Sequence, residues 1–302
     1  MRYKRVGVLF GGSSAERDVS LASGRAVATG LKEAGYDVVE IDVGRALDKQ
    51  LRESAVEAVF VALHGKRGED GTVQGMLEMM GIPYTGSPVT PSAIAMDKQL
   101  TRDLLTGAGL PVPQGCVLKN REMRLPEGFA LPVVIKPVAE GSSVGVSIAK
   151  TDAELRRGFE TAYASSHRIL VESFVSGTEI QVAVMDGVAI GAVEIEPNRE
   201  FYDYEAKYTA GGANHYVPPR IEKRLVDHCI RLATQAFDTL ACAGLARIDL
   251  IAPADRTPVI LEVNTSPGMT EFSLCPEIAA HAGIPFSAFV DKIMQGARLH
   301  VE

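Results

Sequence analysis

Cysteine is scarce in this chain and follows no pattern. Cys116, Cys229, Cys242 and Cys275 form no CxxC pair and lie in apolar surroundings. That excludes a disulfide framework and a CxxC metal or redox site, and it reads as reduced structural thiols in the cytosol. Long apolar runs are missing, so no segment is expected to cross a bilayer. The opening Met1-Arg2-Tyr3-Lys4-Arg5 followed by Val6 to Phe10 imitates a secretory leader. Its apolar part is short, and Gly11-Gly12-Ser13-Ser14 and Glu16-Arg17-Asp18 follow at once, so it is not read as one. Long basic runs are also missing. With 31 Lys and Arg against 38 Asp and Glu, the net charge is −7, and no nucleic-acid partner is expected. Neither GxxxxGK[ST] nor GxGxxG occurs. The first absence excludes a P-loop. The second argues against an NAD-dependent oxidoreductase built on the Gly11-Gly12 turn. Asn264-Thr265-Ser266 matches a glycosylation sequon and is taken as a chance match.

What is present is ordinary globular composition: 302 residues, 46% hydrophobic and 23% charged, enough for two or three domains. Val6–Phe10, Val38–Ile41 and Ala58–Leu63 read as strands. They alternate with helical periodicity over Val19–Ala34 and Thr72–Met80, which predicts a parallel α/β sheet. Ligands of such sheets gather at the carboxyl ends of the strands, and Glu16 and His64 lie just past such ends. The Ser/Thr/Pro/Gly segment Gly86–Pro91 reads as a boundary. Beyond it come a helix at Asp97–Leu105, strands at Gly115–Leu118, Val133–Lys136 and Gly145–Ala149, a helix at Asp152–Ala164 and a strand at Ile169–Glu172. This middle third has α+β, antiparallel character. Glu179–Ile195 reads as a hairpin about Asp186-Gly187. Glu200–Tyr216 lacks periodicity, and a loop that long is usually functional. Arg220–Leu240 and Ser287–Arg298 read as helices.

Two late strands carry the chemistry. Arg247-Ile248-Asp249-Leu250-Ile251 and Val259-Ile260-Leu261-Glu262-Val263-Asn264 are apolar runs interrupted by acids. Residues i and i+2 of a strand share a face, so Glu262 and Asn264 point the same way. If the Asp249 strand pairs beside them, three oxygen-bearing side chains converge. Hard oxygen ligands suit Mg²⁺, which commonly takes one or two carboxylates together with nucleotide phosphates. The alternative is two edge strands with solvated acids.

Lys136 closes the run Val133-Val134-Ile135. Taken alone, it reads better as a lysine snorkelling at a strand end. Glu140-Gly141-Ser142-Ser143-Val144-Gly145 follows, rich in backbone N–H and hydroxyl donors of the kind that wrap phosphates. Glu172-Ser173-Phe174-Val175 and Gly177-Thr178-Glu179 flank a bend. The bend could offer backbone groups to an adenine edge and acids to a ribose, or could be a polar turn between domains.

The order Lys98, Lys136, Gly/Ser loop, Glu172, Glu179, Lys207, Arg247, Asp249, Glu262, Asn264 resembles the ATP-grasp superfamily. Within it, four stretches resemble the D-alanine–D-alanine ligase family: His64–Gly71, Glu140–Gly145, Phe201–Tyr208 and Asn264–Thr270. The resemblance spans nearly the whole chain, with no departure at an expected catalytic position. It implies a three-domain ATP-grasp fold with an N-terminal Rossmann-like α/β domain at 1–96, a central α+β lid domain at 97–178 and a C-terminal domain at 179–302. By motif match, Lys98, Lys136, Ser143 and Lys207 would hold ATP phosphates. Glu172 and the Phe174-Val175 backbone would hold adenine, and Glu179 the ribose. Asp249, Glu262 and Asn264 would bind two Mg²⁺, with Mn²⁺ able to substitute. Arg247 and the Gly268 N–H would stabilise an oxyanion. Glu16 would hold the ammonium of the first D-alanine, His64 would lie near its carboxyl end, and Ser273 and Leu274 would receive the carboxylate of the second. Glu16, Ser142 and Tyr208 would form one hydrogen-bonded group that ties the N-terminal domain to the loops over the site. The family also implies a cytoplasmic homodimer. The same motifs leave open another ATP-grasp ligase joining a different carboxylate and amine, or a non-catalytic nucleotide-binding regulator. The Glu16, Tyr208 and Ser273-Leu274 set argues against the former, and the intact acids and cations argue against the latter.

Overall fold

The computed structural model describes residues 2–119, 121–141, 144–198 and 212–300. Three sheets organise them. The first is parallel, in the order β2-β1-β3, from β1 (Arg5–Gly11), β2 (Asp37–Val43) and β3 (Ala58–Val61). Helices α1 (Arg17–Glu33), α2 (Leu47–Ser54) and α3 (Thr72–Met80) alternate with its strands. Both faces of β1 are covered, which explains its unbroken apolar run. Val6, Val8 and Phe10 pack with Val27 and Leu31 of α1 and with Phe289, Val290 and Met294 near the C-terminus. Leu9, Val59 and Val61 pack on the other side with Leu47, Leu51, Val73 and Leu77.

The second sheet is antiparallel, in the order β4-β7-β5-β6: β4 (Gly115–Leu118), β5 (Val133–Pro137), β6 (Ser147–Ala149) and β7 (Ile169–Ser173). Two helices precede it, α4 (Val89–Met96) and α5 (Lys98–Gly107). Its odd-numbered positions Val133, Ile135, Ile169 and Val171 bury against Leu155, Phe159 and Ala162 of α6 (Asp152–Ser165). A capping box between Thr151 and Glu154 starts that helix.

The third sheet runs β10-β9-β8-β11-β12, from β8 (Thr178–Met185), β9 (Val188–Pro197), β10 (Ala213–Tyr216), β11 (Leu245–Ala252) and β12 (Val259–Asn264). The expected β8–β9 hairpin turns at Asp186 and Gly187, with φ of 47° and 79°, the positive values that a two-residue hairpin turn needs. Ile180, Val182, Val184, Ile248 and Leu250 bury one face against Leu232, Ala236 and Phe237 of α7 (Lys223–Thr239). Two last helices, α8 (Leu274–His281) and α9 (Phe286–Gln295), return to the first sheet.

The expected α/β and α+β architecture forms, with local corrections. Helix α4 begins inside the Gly86–Pro91 segment, at Val89. Pro91 sits in its first turn, where a missing N–H costs no intrahelical bond. Pro276 occupies the same place in α8, a helix unread in the sequence, as was the short α2. Ala213–Tyr216 is a strand rather than the end of a loop. It pairs with Glu194–Pro197, a partner distant in sequence, and Ala-Asn-His-Tyr carries no apolar alternation to announce it. No helix among the described residues is long and apolar enough to cross a membrane.

Candidate functional site

A cleft of about 440 Å³ lies between the second and third sheets. Period-two geometry builds both walls. On the third sheet, the residues opposite the α7 core are Glu179, Gln181, Arg247, Asp249, Glu262 and Asn264, brought side by side by register. Asp249 faces Glu262 and Arg247 faces Asn264 across β11–β12, and Gln181 faces Asp249 across β8–β11. The expected convergence of Asp249, Glu262 and Asn264 is therefore present, with a bulge beside Asp249. The picture of two edge strands with solvated acids fails, since β11 is interior and Asp249 is 3% exposed.

Arg247 forks onto both oxygens of Asp249, Nε to Oδ1 at 2.7 Å and Nη2 to Oδ2 at 2.9 Å. Burial alone would lower the Arg247 pKa, yet the Asp249 carboxylate overrides it and holds the guanidinium well above the ordinary arginine value. The Arg247 charge is thus permanent. Asn264 Oδ1 accepts from the Ser266 N–H at 2.9 Å. This donor set of two carboxylates and an amide fits a hard divalent cation, since each carboxylate oxygen keeps a second lone pair. Beside it, Gln181 Oε1 is buried without a hydrogen-bond partner. Among the described residues, no group of three His, Cys, Asp or Glu side chains gathers as a metal site.

The facing wall is cationic. Glu172 on β7 is 2% exposed. Its Oε2 takes Lys136 Nζ of β5 at 2.5 Å, and its Oε1 takes Arg102 Nη1 of α5 at 2.6 Å. One turn before Arg102, Lys98 Nζ donates to the Glu140 carbonyl at 2.5 Å, and Lys66 Nζ meets the Glu140 carboxylate at 2.5 Å. Phe174, Val175 and Glu179 line the same cleft. Lys136 is therefore buried and ion-paired, not a snorkelling lysine.

A smaller cavity of about 70 Å³ continues from this cleft toward the first sheet, lined by Glu16, His64, Lys98, Arg247, Glu262, Asn264 and Gly268, among others. Glu16 begins α1 but makes no capping bond. Its carboxylate turns instead toward Gly65 and Gly141. A Cβ on Gly65, which has φ +68°, would lie 2.5 Å from Glu16 Oε2, and one on Gly141 would lie 2.9 Å from it. His64 is 5% exposed and fully engaged. Nδ1 faces Glu69 Oε1 at 3.2 Å and the Ser266 carbonyl at 3.1 Å, and Nε2 faces Ser23 Oγ at 3.2 Å. Ser23 Oγ also accepts from the Met269 N–H at 3.1 Å. His64 and Ser23 together brace the 264–270 loop. Ser273 begins α8, and its Oγ accepts from the Thr270 N–H at 2.9 Å. That oxygen would lie 2.8 Å from a Cβ on Gly268. Helix N–H groups beside it suit a carboxylate, and Leu274 is the first residue of that helix.

The expected residues Glu16, His64, Lys98, Lys136, Glu172, Phe174, Val175, Glu179, Arg247, Asp249, Glu262, Asn264 and Gly268 thus line two adjoining cavities. Ser142, Ser143, Lys207 and Tyr208 lie outside the described residues. Sequence reading missed Arg102, Ser23 and Gln181. The Lys98/Arg102 spacing of four, which puts both on one helix face, was the available signal for Arg102. Nothing local marks Ser23. Of the thiols, Cys275 lies within electrostatic reach of Arg247 and Asp249; burial pushes it up to about 12 and Cys229 up to about 11.

Comparison with known proteins agrees with this arrangement. A family model described as the D-ala D-ala ligase C-terminus matches residues 104–295, and its N-terminal counterpart matches 5–49 and 45–87. The chain is 46% identical to the D-alanine–D-alanine ligase of Citrifermentans bemidjiense over 302 residues, covering 100% of this chain and 98% of that protein. It is 47% identical to that of Geobacter sulfurreducens, covering 100% and 96%. Among solved structures, the Bacillus anthracis D-alanine–D-alanine ligase complexed with ATP superposes with a TM-score of 0.85 at 34% identity, covering 97% of this chain and 96% of that one. The VanG D-Ala:D-Ser ligase of Enterococcus faecalis gives 0.83 at 30%, covering 97% and 99%. With both ends matched, the fold shared and the acids and cations meeting across one cleft, the chain belongs to the D-alanine–D-alanine ligase family of ATP-grasp proteins.

Proposed function

We propose that this chain joins two D-alanines into D-alanyl-D-alanine at the expense of ATP, for peptidoglycan precursor synthesis. The observation that carries the reading is the pairing of an acid-bearing strand face with a lysine- and arginine-bearing one across a single cleft. That pairing suits a polyphosphate with divalent cations and little else. In the first step, a carboxylate oxygen of one D-alanine attacks the γ-phosphorus, the bond to the β-phosphate oxygen breaks, and D-alanyl phosphate and ADP result. In the second, the free amine of another D-alanine attacks the acyl carbon, phosphate leaves with the bonding pair, and the nitrogen loses a proton.

Such transfers ask a protein for positioning and charge rather than covalent help. Lys98 and Lys136 would take phosphate oxygens, joined by Ser143 and Lys207. The Glu172 carboxylate meets Lys136 and Arg102, and Glu172 with the Phe174-Val175 backbone would hold adenine. Glu179 would hold the ribose. Asp249, Glu262 and Asn264 would hold Mg²⁺, two ions per site, with Mn²⁺ as a substitute. Those ions, when bound, offset the charge on the transferring phosphoryl group. Arg247 and the Gly268 N–H would hold the oxyanion of the second step. Glu16 would take the first substrate's ammonium, with His64 fixing the loop beside it, and Ser273 and Leu274 the second substrate's carboxylate. Glu16, Ser142 and Tyr208 would close the site against water, which would hydrolyse the acyl phosphate.

We further propose domains at 1–96, 97–178 and 179–302, a homodimer and a cytoplasmic location. The test is ADP release with Mg²⁺, ATP and D-alanine, with the dipeptide identified chromatographically. D-Serine and D-lactate should be run as rival acceptors. Dipeptide from D-alanine alone supports the reading. A mixed product with D-serine as the main outcome would move the chain toward the D-Ala:D-Ser specificity for which VanG is named, and no ADP release would overturn the reading.

A further inference from the structure

We infer that Arg102 is a positioning residue for nucleotide binding: it supplies a second, permanent counter-charge to Glu172 so that Lys136 can leave that carboxylate for a phosphate. The inference deepens the ATP reading above and rests on it. Glu172 is 2% exposed and Lys136 is 7% exposed. The carboxylate divides its oxygens, Oε1 to Arg102 and Oε2 to Lys136. Two cations on one anion leave the cluster with a surplus of one positive charge, on the wall of the cleft that Lys136 lines.

Lys136 cannot serve a phosphate and Glu172 fully at once. Without Arg102, each move toward phosphate would strand a buried carboxylate, and breaking a buried pair from one side is costly. With Arg102, Glu172 keeps a charge-assisted bond whichever way Lys136 points. Arginine suits the post, because its guanidinium stays charged and its fork holds one geometry. The fold makes room for it. Gly115 on β4 stands directly opposite Glu172 on β7. A Cβ there would lie 2.5 Å from Arg102 Cζ and Nη2, so a side chain would push the guanidinium off the carboxylate. The Asp97 cap on the first turn of α5 aims the helix. Its Oδ1 accepts from the Gln99 and Leu100 N–H groups, and its Oδ2 takes Arg168 at 2.6 Å.

The decisive experiment is a rescue. ATP affinity is measured by calorimetry, and KM for ATP and for D-alanine by turnover, in the unmodified chain and in R102Q, R102K, G115A and R102Q/E172Q. We expect R102Q to weaken ATP binding by roughly tenfold to a hundredfold with KM for D-alanine little changed. R102K should recover part of the loss, and G115A should resemble R102Q while keeping every charge. The double variant should bind ATP better than R102Q alone, because no anion is left stranded. A residue that merely braces the helix predicts no such rescue. If R102Q fails to fold, ATP affinity in G115A, which keeps every charge, decides: a loss supports the inference and unchanged affinity overturns it. Equal ATP binding by R102Q and the unmodified chain, or no gain of any kind from adding E172Q, overturns the inference. If the unmodified chain binds no ATP, the nucleotide reading itself fails, which is a distinguishable result.

Discussion

The wall built from β5, β7 and α5 gathers two cations around one buried acid, Lys136 and Arg102 on Glu172. The wall built from β8, β11 and β12 does the reverse, setting Arg247 beside the neighbouring acids Asp249 and Glu262. Both walls come from antiparallel strands that bury their other face against a helix. Their strands are therefore alike, and their difference lies in the side chains at alternate strand positions and in Arg102, which α5 adds to the first wall. It has a chemical consequence. On the function proposed above, the first wall would take phosphate oxygens directly, and the second would need a divalent cation between its acids and the phosphates. Exchanging or weakening charges on either wall is the way to test that division of labour.

The largest effect should come from the acid wall. Glu262→Gln is expected to keep the fold and lose turnover by about a thousandfold, since the cation-mediated charge offset there amounts to several kcal/mol. Steady-state ADP release at ordinary Mg²⁺, checked against an unchanged circular dichroism spectrum, reads this. Near-normal activity would remove the metal reading of the two strands.

Arg247→Ala is expected to cost about 10²–10³ in kcat, the usual scale for one lost oxyanion donor, with metal binding also disturbed because Arg247 donates to both oxygens of Asp249. Pre-steady-state measurement of acyl phosphate against dipeptide distinguishes the steps. A loss confined to ATP affinity would contradict the oxyanion role.

A smaller effect is expected at Tyr208, which the family resemblance groups with Glu16 and Ser142. Tyr208→Phe should retain part of the ligase activity, with a loss of about 1–3 kcal/mol for its unpaired partners. It should also gain measurable D-alanyl-D-lactate, most clearly at pH 6, where the competing amine is protonated. Product assays from pH 6 to 9 with both acceptors present decide it. Ester from the unmodified chain would break the argument.

The smallest effect should come from the thiols. Cys→Ser variants at 116, 229, 242 and 275 that fold should keep turnover within a few-fold. Burial pushes Cys242 up to about 12, as it does Cys275, so alkylation of the folded chain at pH 8 should be slow at both. A thiol held above its unfolded value favours the fold fully below about pH 9. That contribution is lost as pH rises toward 12, so melting temperature should fall across that window, and less steeply in a variant lacking both. Rapid labelling of Cys275 at pH 8 would contradict the burial.

How much of this was legible in the sequence divides along the range of the interactions. The face shared by Glu262 and Asn264 follows from strand period alone, and register then delivers Asp249. The β8–β9 hairpin follows from Asp186-Gly187. The commitment of Glu172 to Arg102 and Lys136 was not legible. It depends on α5 crossing a gap left by Gly115, three elements whose meeting no local pattern encodes. Ser23 is hidden for the same reason: its partners His64 and Met269 are 41 and 246 residues away. Helices α2 and α8 were missed because each has only eight residues, too few turns for periodicity to stand out, and Pro276 in α8 disguised it further.

The central claim is that the acid wall meets the nucleotide only through a divalent cation, while the cationic wall meets it directly. Calorimetric titration of ATP into the unmodified chain and into Glu262→Gln, each with and without Mg²⁺, tests it most directly. We expect Mg²⁺ to tighten binding to the unmodified chain by about tenfold or more, and Glu262→Gln to lose most of that gain while its metal-free affinity stays the same or rises. An equal Mg²⁺ gain in both proteins would contradict the account.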